Sequence, residues 1–345
     1  MGSLTNLKRW IMPRLRPKLK AGPEGSRPKA AKALMRPLLA FMLVCSMAGT
    51  ASSLKPVWAQ DLSPRAYIIT PLRTNAIVMT YSYYHGSVLL DGAAPITGAT
   101  GTYSVPVLGL YHSFGLLGRS ANLNVALPYA VGNFQANVTG VPHQLYRSGL
   151  VDLTARLSVN LVGGPSMPVQ EFQKWRQRTL LGFSLKVLAP TGQYDPTKLV
   201  NWGTNRWAFK PELGYSRRRS NWLIDAYGGV WFYTNNPQSF SPPIPKPQSQ
   251  QPIGSFEGHL SYDVKPRLWC SLDGNFWFGG VTSLAGIANP ITRQTSSRIG
   301  GTASVPLGKH QSMKISYNNG AYIRFGGNYQ IVSVAWQYSW TGLYE

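Results

Sequence analysis

Residues 153–161, Leu153-Thr-Ala-Arg-Leu-Ser-Val-Asn-Leu161, alternate between aliphatic and polar side chains with a period of two. Successive side chains of a β-strand point to opposite faces, so this pattern predicts a strand with one apolar and one polar face. The wet face of a soluble β-sandwich, the competing fold, usually carries many Lys and Glu, whereas this polar face is small and mixed. The stretch therefore favours a strand of a transmembrane barrel, with its polar face turned to the interior.

The same alternation recurs along the chain. It is clear in seven further segments, near residues 121–129, 181–187, 207–215, 222–232, 256–262, 268–278 and 332–340, and weaker in four, near 73–84, 102–112, 295–305 and 311–318. We predict an all-β protein, an antiparallel up-and-down barrel of about twelve strands over residues 60–345.

The connections between these strands alternate in length, as they do in bacterial barrels with both termini in the periplasm. The long ones, predicted to be extracellular, fall near 85–101, 131–149, 189–204, 234–251, 279–293 and 319–328. Residues 162–178 break the rule, which indicates either a short interfacial helix on the periplasmic side or one miscounted strand.

The composition excludes other classes of protein. Of 345 residues, 43% are hydrophobic, 12% aromatic and only 13% charged, about half the charged fraction of a soluble domain. Plentiful aromatics argue against disorder and fit the girdles of a membrane barrel. Two cysteines, Cys45 and Cys270, exclude a disulfide scaffold. The five histidines are scattered, so we expect no metal site and no cofactor.

Residues 1–59 are predicted to be a signal peptide with an extended basic n-region, cleaved after Ala59. The apolar run at residues 37–50 is too short to span a bilayer as a helix, which makes a membrane anchor the weaker interpretation. Met35 is an alternative start, and Cys45 lacks the small preceding residue of a lipoprotein. This segment holds 11 of the 34 basic residues, so the net charge of +22 does not indicate nucleic-acid binding.

Because side chains alternate between the two faces of each strand, one set of polar side chains is predicted to face the lumen. The predicted lumen-lining residues are Arg156, Lys186, Arg206, Lys210, Glu212, Asp225, Glu257, His259, Asp263, Arg267, Asp273, Arg298 and Lys314. The basic members outnumber the acidic ones, which predicts a slight preference for anions such as aromatic carboxylates. The alternative is that these charges pair across neighbouring strands.

Five aromatic residues share the inward face, namely Tyr227, Trp231, Tyr233, Trp269 and Trp277. They could form a sliding surface for aromatic rings, and they could equally plug the barrel. The sequence leaves both possibilities open.

Several stretches resemble a family of bacterial outer-membrane transporters associated with the meta pathway of phenol degradation. They are Gly149-Leu-Val-Asp152, Leu188-Ala-Pro190-Thr-Gly192-Gln-Tyr194, Asn201-Trp-Gly203-Thr-Asn205-Arg206-Trp207, Pro211-Glu212-Leu-Gly-Tyr-Ser216, Gln311-Ser-Met-Lys314-Ile-Ser-Tyr317 and Trp336-Gln337-Tyr338-Ser-Trp340. The chain departs from the family where Val151 and Leu153 replace a Gly and a Pro. The resemblance implies a barrel in the outer membrane of a Gram-negative bacterium that passes aromatic or other hydrophobic compounds.

The functional prediction is a passive outer-membrane channel that is not an enzyme. Its expected partners are outer-membrane lipid and lipopolysaccharide, a small-molecule solute and the barrel-assembly machinery, with no nucleic acid. Two alternatives remain: a structural or adhesion barrel with a closed lumen, and a lipid hydrolase. The hydrolase would use His259 and Ser261, which period-two spacing places on the same face, with Glu257 and Asp263 beside them.

Overall fold

The computed structural model of the protein describes residues 62–87, 96–138, 140–241 and 243–342. The predicted signal peptide, with Met35 and Cys45, lies outside these residues and remains a prediction. None of the helices in the described ranges has the length and apolarity needed to cross a membrane.

The described chain is dominated by antiparallel strands. They are β1 (Thr74–Ser87), β2 (Ile96–Leu116), β3 (Arg119–Val138), β4 (Val141–Leu150), β5 (Leu153–Val162), β6 (Thr179–Ala189), β7 (Ala208–Arg219), β8 (Trp222–Tyr233), β9 (Asn236–Ser239), β10 (Lys246–Gln250), β11 (Ile253–Lys265), β12 (Leu268–Gly279), β13 (Thr282–Leu284), β14 (Ile287–Asn289), β15 (Gln294–Pro306), β16 (Gln311–Ile323) and β17 (Asn328–Thr341). The one described α-helix, α1, spans Val169–Lys174.

Twelve strand positions close into a barrel. The main sheet runs β2-β1-β17-β16-β15-β12-β11-β8-β7-β6-β5-β3, and an additional pairing of β2 with β3 closes the circle. The first and last strands pair along their whole length, from Thr74 opposite Thr341 to Ser87 opposite Asn328. β4 and β5 pair with successive parts of β3 and share one position. The predicted twelve-strand antiparallel barrel is confirmed.

The two faces of the barrel wall differ sharply in polarity. On β7 and its neighbour β8, Leu213 and Ile224 are more than half exposed on the outside, whereas Lys210 and Asp225 are buried inside. An apolar exterior around a closed hydrogen-bonded ladder suits lipid, because no backbone group is left unpaired in the hydrocarbon. The structure is therefore that of a bacterial outer-membrane barrel.

The lengths of the connections set the orientation of the barrel. At one end the turns are as short as Leu117–Gly118, Ser220–Asn221 and Pro266–Arg267. Bacterial barrels have their short turns in the periplasm and their longer loops outside the cell. We call these two ends periplasmic and outer.

Two connections depart from the predicted alternation of long and short connections between strands. The prediction of a long loop over 131–149 is wrong, because β3 and β4 continue as a paired hairpin from Tyr129 opposite Leu150 to Val138 opposite Val141. Beyond the membrane neither face of a hairpin must be apolar, so backbone pairing continues after the period-two pattern has faded. The irregular segment 162–178 contains α1 and adds no strand, which agrees with the helix alternative.

The two long outer connections after β8 and β12 build a second, small sheet in the order β14-β13-β10-β9. Its central contact is β10 with β13, where Ser249 lies opposite Ser283. These loops are thus ordered by pairing with each other at the outer end of the barrel.

Candidate functional site

The barrel encloses a cavity of about 1970 Å³. Its lining extends from the periplasmic end, at Lys309 and Thr341, to the level of Tyr84, Lys186 and Lys210 near the outer ends of their strands. Ten Lys or Arg residues line it, against three acidic ones, Glu212, Glu257 and Asp263. The wall of this cavity is therefore predominantly cationic.

Residues 62–73, here called the inner segment, lie inside the barrel before β1. The Tyr67 side chain is 1% exposed, and its hydroxyl lies 2.9 Å from Ser184 Oγ and donates to Glu212 Oε1 at 3.0 Å. The Ala66 N–H donates to the Tyr227 hydroxyl at 3.1 Å. These contacts dock the inner segment on the wall formed by β6, β7 and β8.

Two glycines make room for the Tyr67 ring. A Cβ built on Gly182 or Gly214 would lie 2.3 Å or 2.0 Å from carbon atoms of that ring, far inside van der Waals contact. The Arg156 guanidinium stacks on the ring, 4.7 Å from its centroid. The ring is thus held between a glycine surface and a cation.

Arg65 ties the inner segment to the periplasmic half of the lumen. Its Nη2 lies 2.7 Å from Asp263 Oδ1, and Arg218 pairs with the same carboxylate. The Arg65 guanidinium also stacks 4.1 Å from the ring centre of Trp269, and its backbone N–H donates to Asp225 at 3.3 Å. Two predicted acids, Asp225 and Asp263, and one predicted aromatic, Trp269, therefore contact Arg65.

The predicted lumen charges on β5, β7 and β11 form a buried ionic chain. Lys210 Nζ lies 2.6 Å from Glu212 Oε2 and 2.9 Å from Glu257 Oε1, and Arg156 Nη2 lies 3.3 Å from Glu212 Oε1. On the far side of Glu257, His259 Nδ1 lies 2.8 Å from an Asp273 carboxylate oxygen. Several of these charges are thus paired with one another, which is the arrangement expected if the lumen charges neutralise each other across the wall.

Two clusters of buried aromatic and aliphatic side chains occupy the outer part of the lumen. The first, the tryptophan cluster, comprises Leu188, Ala208, Trp231, Ile253 and Trp277, with Tyr233 packed against it. The second, the tyrosine cluster, comprises Ala99, Tyr329 and Ile331, with Tyr84, Tyr103, Phe134 and Ala136 packed against it. The cavity lining includes Tyr84 and Ile331 of the tyrosine cluster and no member of the tryptophan cluster, so the cavity ends against these layers.

The remaining predicted lumen residues lie at different depths. Lys186 and Lys314 line the cavity, where their ammonium groups lie 5.8 Å from the Trp231 ring and 5.9 Å from the Trp269 ring. Arg206 precedes β7 at the outer end and stacks 4.5 Å from the centre of the Tyr233 ring. Arg267 lines the periplasmic mouth of the cavity, whereas Arg298 is not part of the lining.

Arg267 is placed in the turn between β11 and β12, not on a strand, and is exposed. Its guanidinium donates to the carbonyl oxygens of Gly308, Lys309 and Gln311 at 2.5–2.8 Å. It therefore braces the next periplasmic turn. Arg298, in contrast, is buried near the tyrosine cluster, with 2% exposure.

His259 and Ser261 make no hydrogen bond with each other in the structure. His259 Nε2 and Ser261 Oγ are both buried and neither has a hydrogen-bond partner, while Nδ1 binds Asp273. A general base must reach the hydroxyl that it deprotonates. Among the described residues, no group of three or more His, Cys, Asp or Glu side chains is arranged to hold a metal ion.

Sequence reasoning missed the inner segment and the tyrosine cluster. Residues 62–73 show no period-two pattern, and only the inward-facing Gly182 and Gly214 hinted that something packs closely on the wall. Tyr84, Tyr103 and Tyr329 lie on strands whose alternation is weak or fades near the outer end. Once the strand boundaries are known, the alternation of side chains predicts that these three tyrosines point inward.

The fold and the lumen define a twelve-stranded outer-membrane β-barrel with a large polar cavity and an inner segment. Residues 92–330 match the family described as "Putative MetA-pathway of phenol degradation". The chain belongs to this family, as its motifs implied. No curated protein sequence is similar enough to the chain to count as a relative.

Solved structures similar to the chain include a channel and two autotransporter domains. An outer membrane channel from Pseudomonas putida F1 superposes with a TM-score of 0.66 at 18% identity, covering 81% of this chain and all of that one. The β-domain of the Bordetella autotransporter BrkA gives a TM-score of 0.47 at 14% identity, covering 78% of this chain and all of the other. The transport unit of AIDA-I from Escherichia coli gives 0.48 at 11% identity, covering 83% of this chain and 94% of that one.

Proposed function

We propose that the protein is an outer-membrane channel through which small aromatic compounds, preferentially anionic ones, cross by passive diffusion. The observation that carries this proposal is the cavity itself, with ten basic residues against three acidic ones in its lining. Fixed charge around a pore sets its ion selectivity, because counter-ions concentrate beside it. The description of the family, which names phenol degradation, supports aromatic solutes.

The test is single-channel recording of the purified mature protein in planar bilayers, with a salt gradient across the membrane. We expect discrete conductance steps and a reversal potential on the anion side. Lys314→Gln removes a charge from the cavity lining and should move the reversal potential toward zero. Lys174→Gln, on the exposed periplasmic helix α1, is the matched control. A cation-selective pore, or a reversal potential unchanged by Lys314→Gln, contradicts the proposed selectivity.

A structural barrel with a closed lumen is the second candidate. It is favoured by the two outer clusters, in which Trp231, Trp277 and Tyr329 are each at most 2% exposed. Such a barrel would fold, change its gel migration on heating and insert into bilayers without any conductance. That outcome would end the diffusion proposal and retain the barrel.

We infer that the protein has no hydrolase activity. The basis is the orphaned His259 Nε2, which faces Glu257 Oε2 at 3.7 Å and makes no hydrogen bond with Ser261. The purified barrel should not hydrolyse a phospholipid or a nitrophenyl ester. Turnover that disappears on His259→Ala, with the heat-modifiable barrel intact, would overturn this inference.

A further inference from the structure

Arg298 differs from the cations deeper in the lumen. Arg65, Arg156, Lys210 and Arg218 each pair with a carboxylate. Arg298 is 2% exposed and has no acidic partner within ion-pair distance among the described residues. A buried charge is costly unless it is paired and hydrogen-bonded, so this guanidinium is suited to an anion that arrives from outside the protein.

The hydrogen bonds of Arg298 show which edge is available. Nη1 donates to Asn318 Oδ1 at 2.7 Å. Nε and Nη2 are both buried and have no hydrogen-bond partner in the described chain. These two atoms form one edge of the planar guanidinium, and their parallel N–H groups match the two oxygens of a carboxylate.

The tyrosine cluster lies near Arg298. The Tyr84 and Tyr103 rings stack with centroids 4.5 Å apart, and Tyr329 meets both edge-on at 6.1 Å and 5.1 Å. The hydroxyl groups of all three tyrosines lie within electrostatic range of Arg298. Rings in stacked and edge-on arrangements offer flat apolar faces to a further aromatic ring.

The site borders the cavity. Tyr84 and Asn318 line the cavity wall and also contact, respectively, the tyrosine cluster and Arg298. The Asn318 side chain thus contacts both the cavity and the Arg298 guanidinium.

From these contacts the geometry points to a binding site for planar aromatic monocarboxylates, in which the Nε and Nη2 edge of Arg298 holds the carboxylate and the tyrosine cluster holds the ring. This inference rests on the proposed function and assigns its solute class. It places recognition at the outer end of the cavity, separate from the ionic chain at Lys210.

The test measures binding of benzoate to the purified barrel in detergent, by quenching of its tryptophan fluorescence and by calorimetry. Benzamide, which has the same ring and no charge, is the matched ligand, and acetate tests the carboxylate alone. We expect benzoate to bind at least tenfold more tightly than either, because benzamide lacks the charge-assisted bidentate hydrogen bonds and acetate lacks the ring. Equal binding of benzoate and benzamide to the wild-type protein overturns the inference without any variant.

Arg298→Gln should reduce benzoate affinity by about tenfold to a hundredfold and leave benzamide affinity unchanged. Arg298→Lys, which keeps the charge and loses the planar fork, should give an intermediate loss and serves if the Gln variant does not fold. Arg219→Gln, at an exposed site on the periplasmic rim, is the control for a change of net charge. Benzoate affinity that is the same in both Arg298 variants as in Arg219→Gln refutes the site.

Asp91, outside the described residues, is the acid next to β1 and β2 in sequence, and Asp91→Asn tests it as a partner of Arg298. Tighter benzoate binding in this variant would show that the carboxylate of Asp91 competes for the edge, and Arg298 would then be an internal ion pair. Affinity unchanged from the wild type supports the solute site. Bilayer recording separates this inference from the channel proposal: conductance without benzoate binding retains the channel and refutes the site, and binding without conductance does the reverse.

Discussion

Substitution of Gly214 by alanine should release the inner segment from the barrel wall. The alanine Cβ would lie 2.0 Å from Tyr67 Cε2, so the ring and the β7 backbone cannot keep their present positions. The ring is also confined by Arg156, which stacks on it, and by the Tyr227 ring, which meets it edge-on at 5.0 Å. The segment must therefore shift or undock.

The size of the effect follows from what undocking removes. Full burial of an aromatic side chain contributes about 2–3 kcal/mol, and the hydrogen bond from its hydroxyl about 1 kcal/mol more. The docked ring thus contributes roughly 3–4 kcal/mol, and losing it changes the docked-to-undocked ratio by more than about a hundredfold. Gly214→Ala should lose most of this stabilisation.

Hydrogen exchange at the Ala66 amide reports docking directly, since this N–H donates to the Tyr227 hydroxyl. We expect its protection to fall by more than about a hundredfold in Gly214→Ala, and equally in Tyr67→Ala, which removes the ring and leaves the wall intact. Gly258→Ala is the matched control, because a Cβ on Gly258 has no heavy atom within 4 Å. Unchanged protection in Gly214→Ala, or the same loss in Gly258→Ala, would refute the close packing of Tyr67 on the glycine surface.

Three further predictions concern other parts of the barrel. Lys210→Met leaves Glu257 buried without its lysine partner and leaves Glu212 with Arg156 alone. It should destabilise the barrel by about 3–5 kcal/mol, measured as a lower temperature for the heat-induced change of gel migration. An unchanged midpoint would show that water already screens these charges. Trp277→Ala should cost about 3–5 kcal/mol and raise single-channel conductance by opening the tryptophan cluster, whereas Trp222→Ala, on the exposed outer surface, should leave conductance unchanged. In the outer loop after β6, hydrogen bonds from Lys198 and then Thr197 hold the pKa of Asp195 well below its ordinary value. The stabilisation of the loop by this carboxylate is present above the pKa of an unfolded Asp, about 3.9, and is lost only at lower pH, so Asp195 should stay ionised in an NMR titration to about pH 3. Lys198→Met should raise the pKa of Asp195. Proton uptake by Asp195 near pH 4 in the wild-type protein would contradict the pairing.

The strand pattern was readable from the sequence because lipid acts on every second residue. Residues 153–161 must present aliphatic side chains to hydrocarbon at each odd position, and the same demand recurs on all twelve strands of the barrel. This requirement is local, so a single sequence displays it. It fails at 131–149, where the hairpin projects beyond the membrane and the chain is free to be polar on both faces.

The alternation of side chains along each strand assigned the candidate lumen charges to the inward face, but it could not show which of them pair. Lys210 and Glu212 are two residues apart on one strand, whereas Glu257 reaches Lys210 from a strand two positions away. Such contacts depend on barrel diameter and stagger, which the alternation of residues does not encode. The same holds for Arg267, which lines the cavity from a turn and not from a strand.

What the sequence by itself determined is the class of protein, its membrane exposure and the inward or outward direction of most side chains, because these follow from a period of two and the polarity of the surroundings. What only the tertiary structure decided is how the lumen is filled. The inner segment, the tyrosine cluster and the unpaired edge of Arg298 arise where residues far apart in the chain meet across a closed barrel. Their meeting is a consequence of closure, and no local pattern along the chain records it.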